Sequence, residues 1–191
     1  MSTADLDTYL LNNWEDFDAA VARGNALENA VLEALADEVR RWADGRGWSG
    51  VFTIDQIWLA PPEWTTSPPP RPNADAWFVF DQHGPGEDAY TLTSLMGLNR
   101  DVAGFDFHQT RMPVRQWKPI ATSPELLEAL PGFSLQSASL FHPLRLERAS
   151  LLDAAAGGDY AHAATPVAAV LDRLEAAVPV ISRHLGSRTQ A

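Results

Sequence analysis

Apolar residues recur at a spacing of three and four near both ends of the chain, and this periodicity limits the possible folds more than any other feature. The positions are Leu27, Val31, Leu35, Val39 and Trp42 in the first part, and Val167, Val170, Leu171, Leu174, Val178, Ile181 and Leu185 in the last. This spacing places side chains on one face of an α-helix. The sequence therefore predicts an amphipathic helix near each end, with its apolar face buried.

The N-terminal part is predicted to hold two helices. A further apolar stripe lies before Leu27 in the chain and consists of Leu6, Leu10, Trp14, Phe17 and Val21. Gly24 is a suitable left-handed stop for that stripe, and Asn25 stands three residues before Glu28 as in a capping box. Gly45 follows the last apolar position of the second helix. We expect a helical pair within residues 1–45.

Proline marks the start of two further helices. Pro124 follows Ser123, and Pro166 follows Thr165, which is the order typical of an N-cap and the first helical position. The first pair predicts a short helix. The second predicts a C-terminal helix over 165–186, in which Pro179 is expected to cause a kink or break.

The middle of the chain, 50–146, is rich in β-branched and aromatic residues. Strands are predicted at 51–59, 76–82, 90–98, 104–109 and 135–146. The glycines and proline of 83–88 predict a hairpin that joins the second strand to the third. Six prolines fall in 60–73, and proline cannot donate to a sheet ladder, so this stretch is predicted to be a loop.

The order of these elements predicts the fold class. Helices come first, a series of strands follows, and helices come last, without the alternation of a doubly wound sheet. We expect an α+β fold in which a mostly antiparallel sheet of four to five strands packs against N-terminal and C-terminal helices. A length of 191 residues with 46% hydrophobic content predicts one globular domain over 1–191.

Composition excludes several kinds of chemistry. The chain has no cysteine, which excludes disulfides, thiolate zinc sites and cysteine nucleophiles. No apolar run approaches the roughly 18 residues that a membrane span needs, and the first residues lack a basic signal region. The sequence therefore predicts a cytoplasmic protein without a membrane partner.

The negative charge is concentrated in the first part of the chain. The net charge is −11, and residues 1–110 hold 18 acidic against 6 basic side chains. Nucleic-acid binding requires a cationic surface, so a nucleic-acid partner is not expected. Acidity is typical of soluble proteins in general, but it also favours a basic protein partner that meets the N-terminal half.

One polar pattern in the strand region is compatible with catalysis. Asp106 and His108 are two residues apart, so both side chains lie on one face of a strand, and Asp81 and Asp101 are candidates to join them. This set favours a metal-dependent hydrolase or nuclease, with Asp106 and His108 as metal ligands. Simple amphipathic alternation produces the same pattern, in which case these groups lie on a solvated face.

The chain lacks a P-loop, a dinucleotide fingerprint, a nucleophile elbow and a zinc-protease motif. We therefore expect a protein-binding module rather than an enzyme, with no cofactor, and an immunity- or antitoxin-like role against a basic partner is the leading hypothesis. An oligomeric structural subunit is a further alternative. The predicted binding residues lie on the second helix and in the proline-rich loop: Glu33, Asp37, Asp44, Glu63 and Trp64. For Trp64, packing onto the core is the alternative role, and the sequence favours it over a place in an interface.

Overall fold

The computed structural model describes residues 3–67, 73–84, 90–136 and 139–186. Within these residues the helices are α1 (Thr3–Asn12), α2 (Trp14–Asp44), α3 (Thr91–Leu95), α4 (Val114–Ala121), α5 (Pro124–Glu128), α6 (Arg148–Gly157) and α7 (Pro166–Leu185). The strands are β1 (Ser49–Thr53), β2 (Gln56–Ala60), β3 (Thr65–Ser67), β4 (Asn73–Ala74), β5 (Ala76–His83), β6 (Val102–Gln109), β7 (Ser134–Gln136) and β8 (Ser139–Pro143).

The main sheet has six strands in the order β1-β2-β5-β6-β8-β7, and every neighbouring pair is antiparallel. The predicted α+β class is confirmed, but the strand number is higher than expected. Two predicted strands are in fact hairpins: 51–59 contains β1 and β2 around a turn at Ile54, and 135–146 contains β7 and β8. A small second sheet pairs β3 with β4.

The prediction of a strand at 90–98 is wrong, because Thr91–Leu95 forms helix α3. A side-chain carboxylate oxygen of Glu28 accepts a hydrogen bond from the Thr91 backbone N–H at 2.9 Å, and the Leu95 side chain is fully buried. These tertiary contacts override the local preference for a strand. The antiparallel neighbour of β5 is instead β6, which matches the prediction for 104–109. Residues 85–88 of the expected hairpin turn lie outside the described residues.

Helix α2 is one continuous element of 31 residues, so the predicted stop at Gly24 and cap at Asn25 are wrong. The interruption falls earlier, at Asn13, whose side-chain amide donates to the Tyr9 carbonyl at 2.8 Å. Glycine inside the helix is tolerated here at an intrinsic cost of about 1 kcal/mol. At Gly24 a Cβ would lie 3.6 Å from the Tyr90 hydroxyl, so the small residue faces a neighbouring side chain.

The remaining helix predictions agree better with the structure. Helix α5 begins as expected, since the Ser123 hydroxyl accepts a hydrogen bond from the Leu126 N–H at 3.2 Å. Helix α7 runs without a break through Pro179, so the proline does not divide it. No helix of the described residues is both long and apolar enough to cross a membrane.

An aromatic cluster around Phe78 on β5 forms the middle of the core. Its ring lies within 6.4 Å, centroid to centroid, of the rings of Trp48, Trp64, Phe107 and Phe133. Trp64 is completely buried, and its indole N–H donates to the Ser182 hydroxyl on α7 at 2.9 Å. The proline-rich segment is therefore joined to the C-terminal helix through the core.

Replacing Ser182 by alanine should lower the free energy of unfolding by about 1–3 kcal/mol, because the buried indole N–H of Trp64 then loses its acceptor. Urea denaturation of the full chain measures this difference. The cost should shrink in a Trp64→Phe background, since phenylalanine carries no donor. An equal loss in both backgrounds would show that the hydrogen bond is not the cause.

Candidate functional site

Only part of helix α2 packs against the core. Val31 is its first buried residue, at 2% exposure, and the buried positions continue to Ala43. Residues 14–23 at the start of the helix are all exposed, and at a rise of 1.5 Å per residue they span about 15 Å. This first part of α2 therefore extends beyond the core, and α1 precedes it.

The apolar stripe of this N-terminal region faces solvent. None of the α1 residues is buried. The exposed fractions are 41% for Leu6, 56% for Trp14 and 42% for Phe17, and Val21 is exposed as well. The Trp14 and Phe17 rings contact each other at 5.7 Å between centroids. The predicted apolar stripe is thus a row of largely exposed side chains, and we call residues 3–23 the N-terminal arm.

The N-terminal arm is also strongly acidic. It carries five carboxylates against one basic side chain, Arg23, and the acids are Asp5, Asp7, Glu15, Asp16 and Asp18. Soluble monomers rarely expose a large contiguous apolar patch. Such a patch with a charged border is typical of a surface that binds a partner. The arm therefore combines apolar contact area with a negative rim.

The base of the arm is held to the core. Gly24 faces Tyr90, and Glu28 accepts the hydrogen bond from Thr91 at the start of α3. Glu28 is partly buried, and its second carboxylate oxygen has no hydrogen-bond partner among the described residues. The direction of the arm is thus set by contacts just beyond its last turn.

The predicted binding acids lie elsewhere on the surface. Glu33, Asp37 and Asp44 are exposed on the second half of α2, and Asp37 forms an ion pair with Arg40 at 2.5 Å. This pair partly neutralises the surface that the charge count had favoured.

The two predicted binding residues of the proline-rich loop lie in different environments. Trp64 has no exposed surface, so its place in a partner interface is a wrong expectation; its ring fills the core between Phe78 and Phe107. Glu63 remains exposed beside it, and its backbone carbonyl accepts a hydrogen bond from Arg111 at 3.0 Å.

The candidate metal-ligating residues are partly brought together. Asp81, His83 and Asp106 each offer one ligand atom, and these atoms lie within 4.8 Å of one another. Their strands set this arrangement: Asp81 pairs with Gly104 across β5 and β6, and Asp106 pairs with Val79. His83, which the sequence predicts to lie in a hairpin loop, is the last residue of β5.

Two of the predicted residues stand apart from this cluster. Asp101 is buried and accepts a hydrogen bond from the Asn99 amide at 3.0 Å. His108 is exposed, and its ring stacks on that of Trp77 at 5.7 Å. The predicted set of four residues is therefore not assembled, because other partners hold these two side chains.

Asp106 is not on a solvated face as amphipathic alternation had suggested. Its side chain is 2% exposed, and His83 Nε2 contacts its Oδ2 at 2.5 Å. Burial raises the pKa of the Asp106 carboxyl, the His83 hydrogen bond and charge oppose this, and the negative charge of Asp81 raises it further. The other carboxylate oxygen, Oδ1, has no hydrogen-bond partner among the described residues.

His142 on β8 is a second buried titratable group. Its Nδ1 lies 3.0 Å from the Pro143 carbonyl, and its Nε2 has no partner within the described part of the chain. Gly132 lies against this ring with φ of +90°, and a Cβ there would come within 2.7 Å of Nε2. Burial lowers the pKa of His142, the Pro143 hydrogen bond raises it, and the charge of Arg173 lowers it.

The signals for these features were partly visible in the sequence. Asp81 and His83 continue the two-residue alternation of Trp77 and Val79, so extending the predicted strand by one residue brings both onto one face. The exposure of the arm had no such signal, because periodicity identifies an apolar face but not whether the fold provides something to cover it.

No family model matches this chain, and no curated protein or solved structure is significantly similar to it.

Stability should fall as the pH decreases below the ordinary histidine range. Burial lowers the pKa of His142 in the native state, whereas the unfolded chain takes up a proton below about pH 6.5, so acid favours unfolding. Asp106, with its raised pKa, acts in the opposite direction. The stability difference between the wild type and His142→Asn isolates the first effect, and urea denaturation at pH 7.5 and 5.0 measures it.

The wild type should lose more stability than His142→Asn between these two pH values. A His162→Gln variant is the control, since His162 is exposed and should keep the wild-type response. An unchanged response in His142→Asn would contradict the assignment.

Proposed function

We propose that this protein is a protein-binding module that captures a basic partner with its N-terminal arm. The observation that carries the proposal is the row of apolar side chains left in water by the extension of α2 beyond the core. Exposing Trp14 and Phe17 is unfavourable in the isolated protein, and covering them by a partner recovers that free energy. Aromatic residues are also the side chains most often found at the energetic centre of protein interfaces.

The charge of the arm supports a partner of defined chemistry. Five carboxylates around the apolar row favour an amphipathic surface with Lys or Arg at its edges. Opposite charges at the rim accelerate encounter and select the partner, while the apolar contacts slow dissociation. A cationic amphipathic helix is the simplest surface that offers both.

The same charge disfavours a second copy of this chain as the occupant. Pairing two arms would bring two sets of five carboxylates together. Each arm would contribute only one positive charge, that of Arg23, to offset them. Like charges at an interface are costly, so self-association through the arm is not the proposed function.

The biological role that we propose for this binding is that of an immunity- or antitoxin-like protein. Such a protein neutralises a basic protein by covering it, and we place this activity in the cytoplasm. The acids Glu33, Asp37 and Asp44, and Glu63 in the proline-rich segment, would add long-range attraction, because they remain exposed on the rest of the surface.

The double variant Trp14→Ala/Phe17→Ala should weaken binding to the basic partner by at least about 30-fold, the loss expected for interface residues worth 2 kcal/mol or more. The measurement is isothermal titration calorimetry with the purified products of the adjacent genes. A synthetic 18-residue Leu/Lys amphipathic helix serves as a partner-independent probe. Replacing Asp16 and Asp18 by asparagine should mainly slow association, and more so at low salt.

Leu152→Ala and Val114→Ala are the matched controls, since both side chains are apolar and exposed outside the arm. They should bind as the wild type does, and all variants should unfold at nearly the same urea concentration. An affinity that is unchanged in the arm variants, or that is the same at low and high salt, would refute the proposal. A wild-type dimer that becomes monomeric on Trp14→Ala would identify a second copy as the occupant instead.

A further inference from the structure

The cluster of Asp81, His83 and Asp106 lies apart from the N-terminal arm, on adjacent central strands of the sheet. Asp81 and His83 come from the end of β5, and Asp106 comes from the middle of β6. Asp81 is exposed, His83 is partly buried and Asp106 is buried. The cluster therefore runs from the surface inward, and an ion could enter from the side of Asp81.

The neighbouring residues hold the His83 ring in place. Its ring meets the Phe141 ring edge to face at 5.2 Å, and its Nε2 contacts Asp106. Gly104 makes room for Phe141, since a Cβ at this position would lie 2.7 Å from the Phe141 ring and 2.2 Å from the His142 carbonyl oxygen. Packing therefore orients this imidazole before any ligand arrives.

Asp106 provides an independent indication that a cation belongs here. Its side chain is 2% exposed, and its Oδ1 lacks a hydrogen-bond partner among the described residues. A buried carboxylate oxygen without a partner is unfavourable, because its lost hydration is not replaced. Asp81 adds a second negative charge close by. A divalent cation would compensate both carboxylates at once.

We propose that Asp81, His83 and Asp106 bind a divalent first-row transition metal of the zinc type. One imidazole nitrogen and two carboxylate oxygens are a ligand set that zinc accepts, whereas magnesium and calcium prefer oxygen alone. This site is independent of the proposed partner surface, and neither proposal requires the other.

The distances fit this ligand set after small side-chain movements. Metal–ligand bonds of about 2.1 Å place two tetrahedral ligands about 3.4 Å apart. The cluster atoms lie within 4.8 Å, so the exposed Asp81 side chain has only to turn inward. His83 Nε2 and Asp106 Oδ2 are 2.5 Å apart, and a metal bound between them would separate these atoms by about 1 Å.

Isothermal titration calorimetry of the chelator-treated full chain with Zn²⁺ tests the proposal. The wild type should bind one Zn²⁺ per chain. His83→Gln and Asp81→Asn should each weaken binding by about 100-fold or more, because even the loss of an outer-shell partner weakens metal binding 10–100-fold. Asp81 is exposed, so its variant should fold normally, and thermal denaturation without metal checks this.

His108→Gln is the matched control, because it removes an exposed imidazole from the same face of β6 that is not one of the three ligands and acts on Asp106 only through its charge. It should bind Zn²⁺ like the wild type, and Mg²⁺ and Ca²⁺ should bind at least about 10-fold more weakly. The proposal fails if the wild type shows no stoichiometric binding, or if His83→Gln and Asp81→Asn bind as the wild type does. Loss of binding in His108→Gln, or equal affinity for Ca²⁺, would likewise overturn it.

Discussion

The packing of aromatic rings around Phe78 is the constraint on which the rest of this structure depends. The ring brings together Trp48, which follows α2, Trp64 from the proline-rich segment, and Phe107 from the neighbouring strand. Side chains alternate along a strand, so an inward Phe78 requires that Asp81 and His83 project from the opposite face. The same core holds α2 from Leu27 onward and leaves residues 14–23 without a covering surface. Both candidate sites thus follow from one packing arrangement.

Each candidate site departs from a rule that the remainder of the chain obeys. Trp14 and Phe17 are apolar and exposed, although comparable residues at Trp42 and Trp48 are buried. Asp106 is an acidic residue, yet its side chain is buried among aromatic neighbours. Departures of this kind reduce stability, and natural proteins tend to keep them where a ligand or partner compensates. The two departures lie in different parts of the fold, one at the start of α2 and the other on the central strand β6.

The regular parts of the fold could be predicted because local pattern and tertiary packing agree there. The face formed by Val31, Leu35 and Val39 is buried as expected, and β6 lies where Phe105 and Phe107 alternate with polar residues. The prediction failed where a distant residue decides the outcome. Glu28 caps α3 at Thr91, although the local sequence favours a strand. Asp106 is buried because the rings of His83 and Phe141 come from other strands, and no pattern within β6 contains that information.

The continuity of α2 through Gly24 has a consequence for how the molecule moves. One hydrogen-bonded helix contains a longer half that is anchored on the core and a shorter exposed part, residues 14–23, that is held by little more than its own backbone. Local opening follows the amount of buried contact, so the free energy of opening should rise along the helix from Trp14 toward Val39. Amide hydrogens of the arm would then exchange with solvent through fraying, and those of the anchored half only through global unfolding. A single helix would in this way contain both labile and strongly protected backbone.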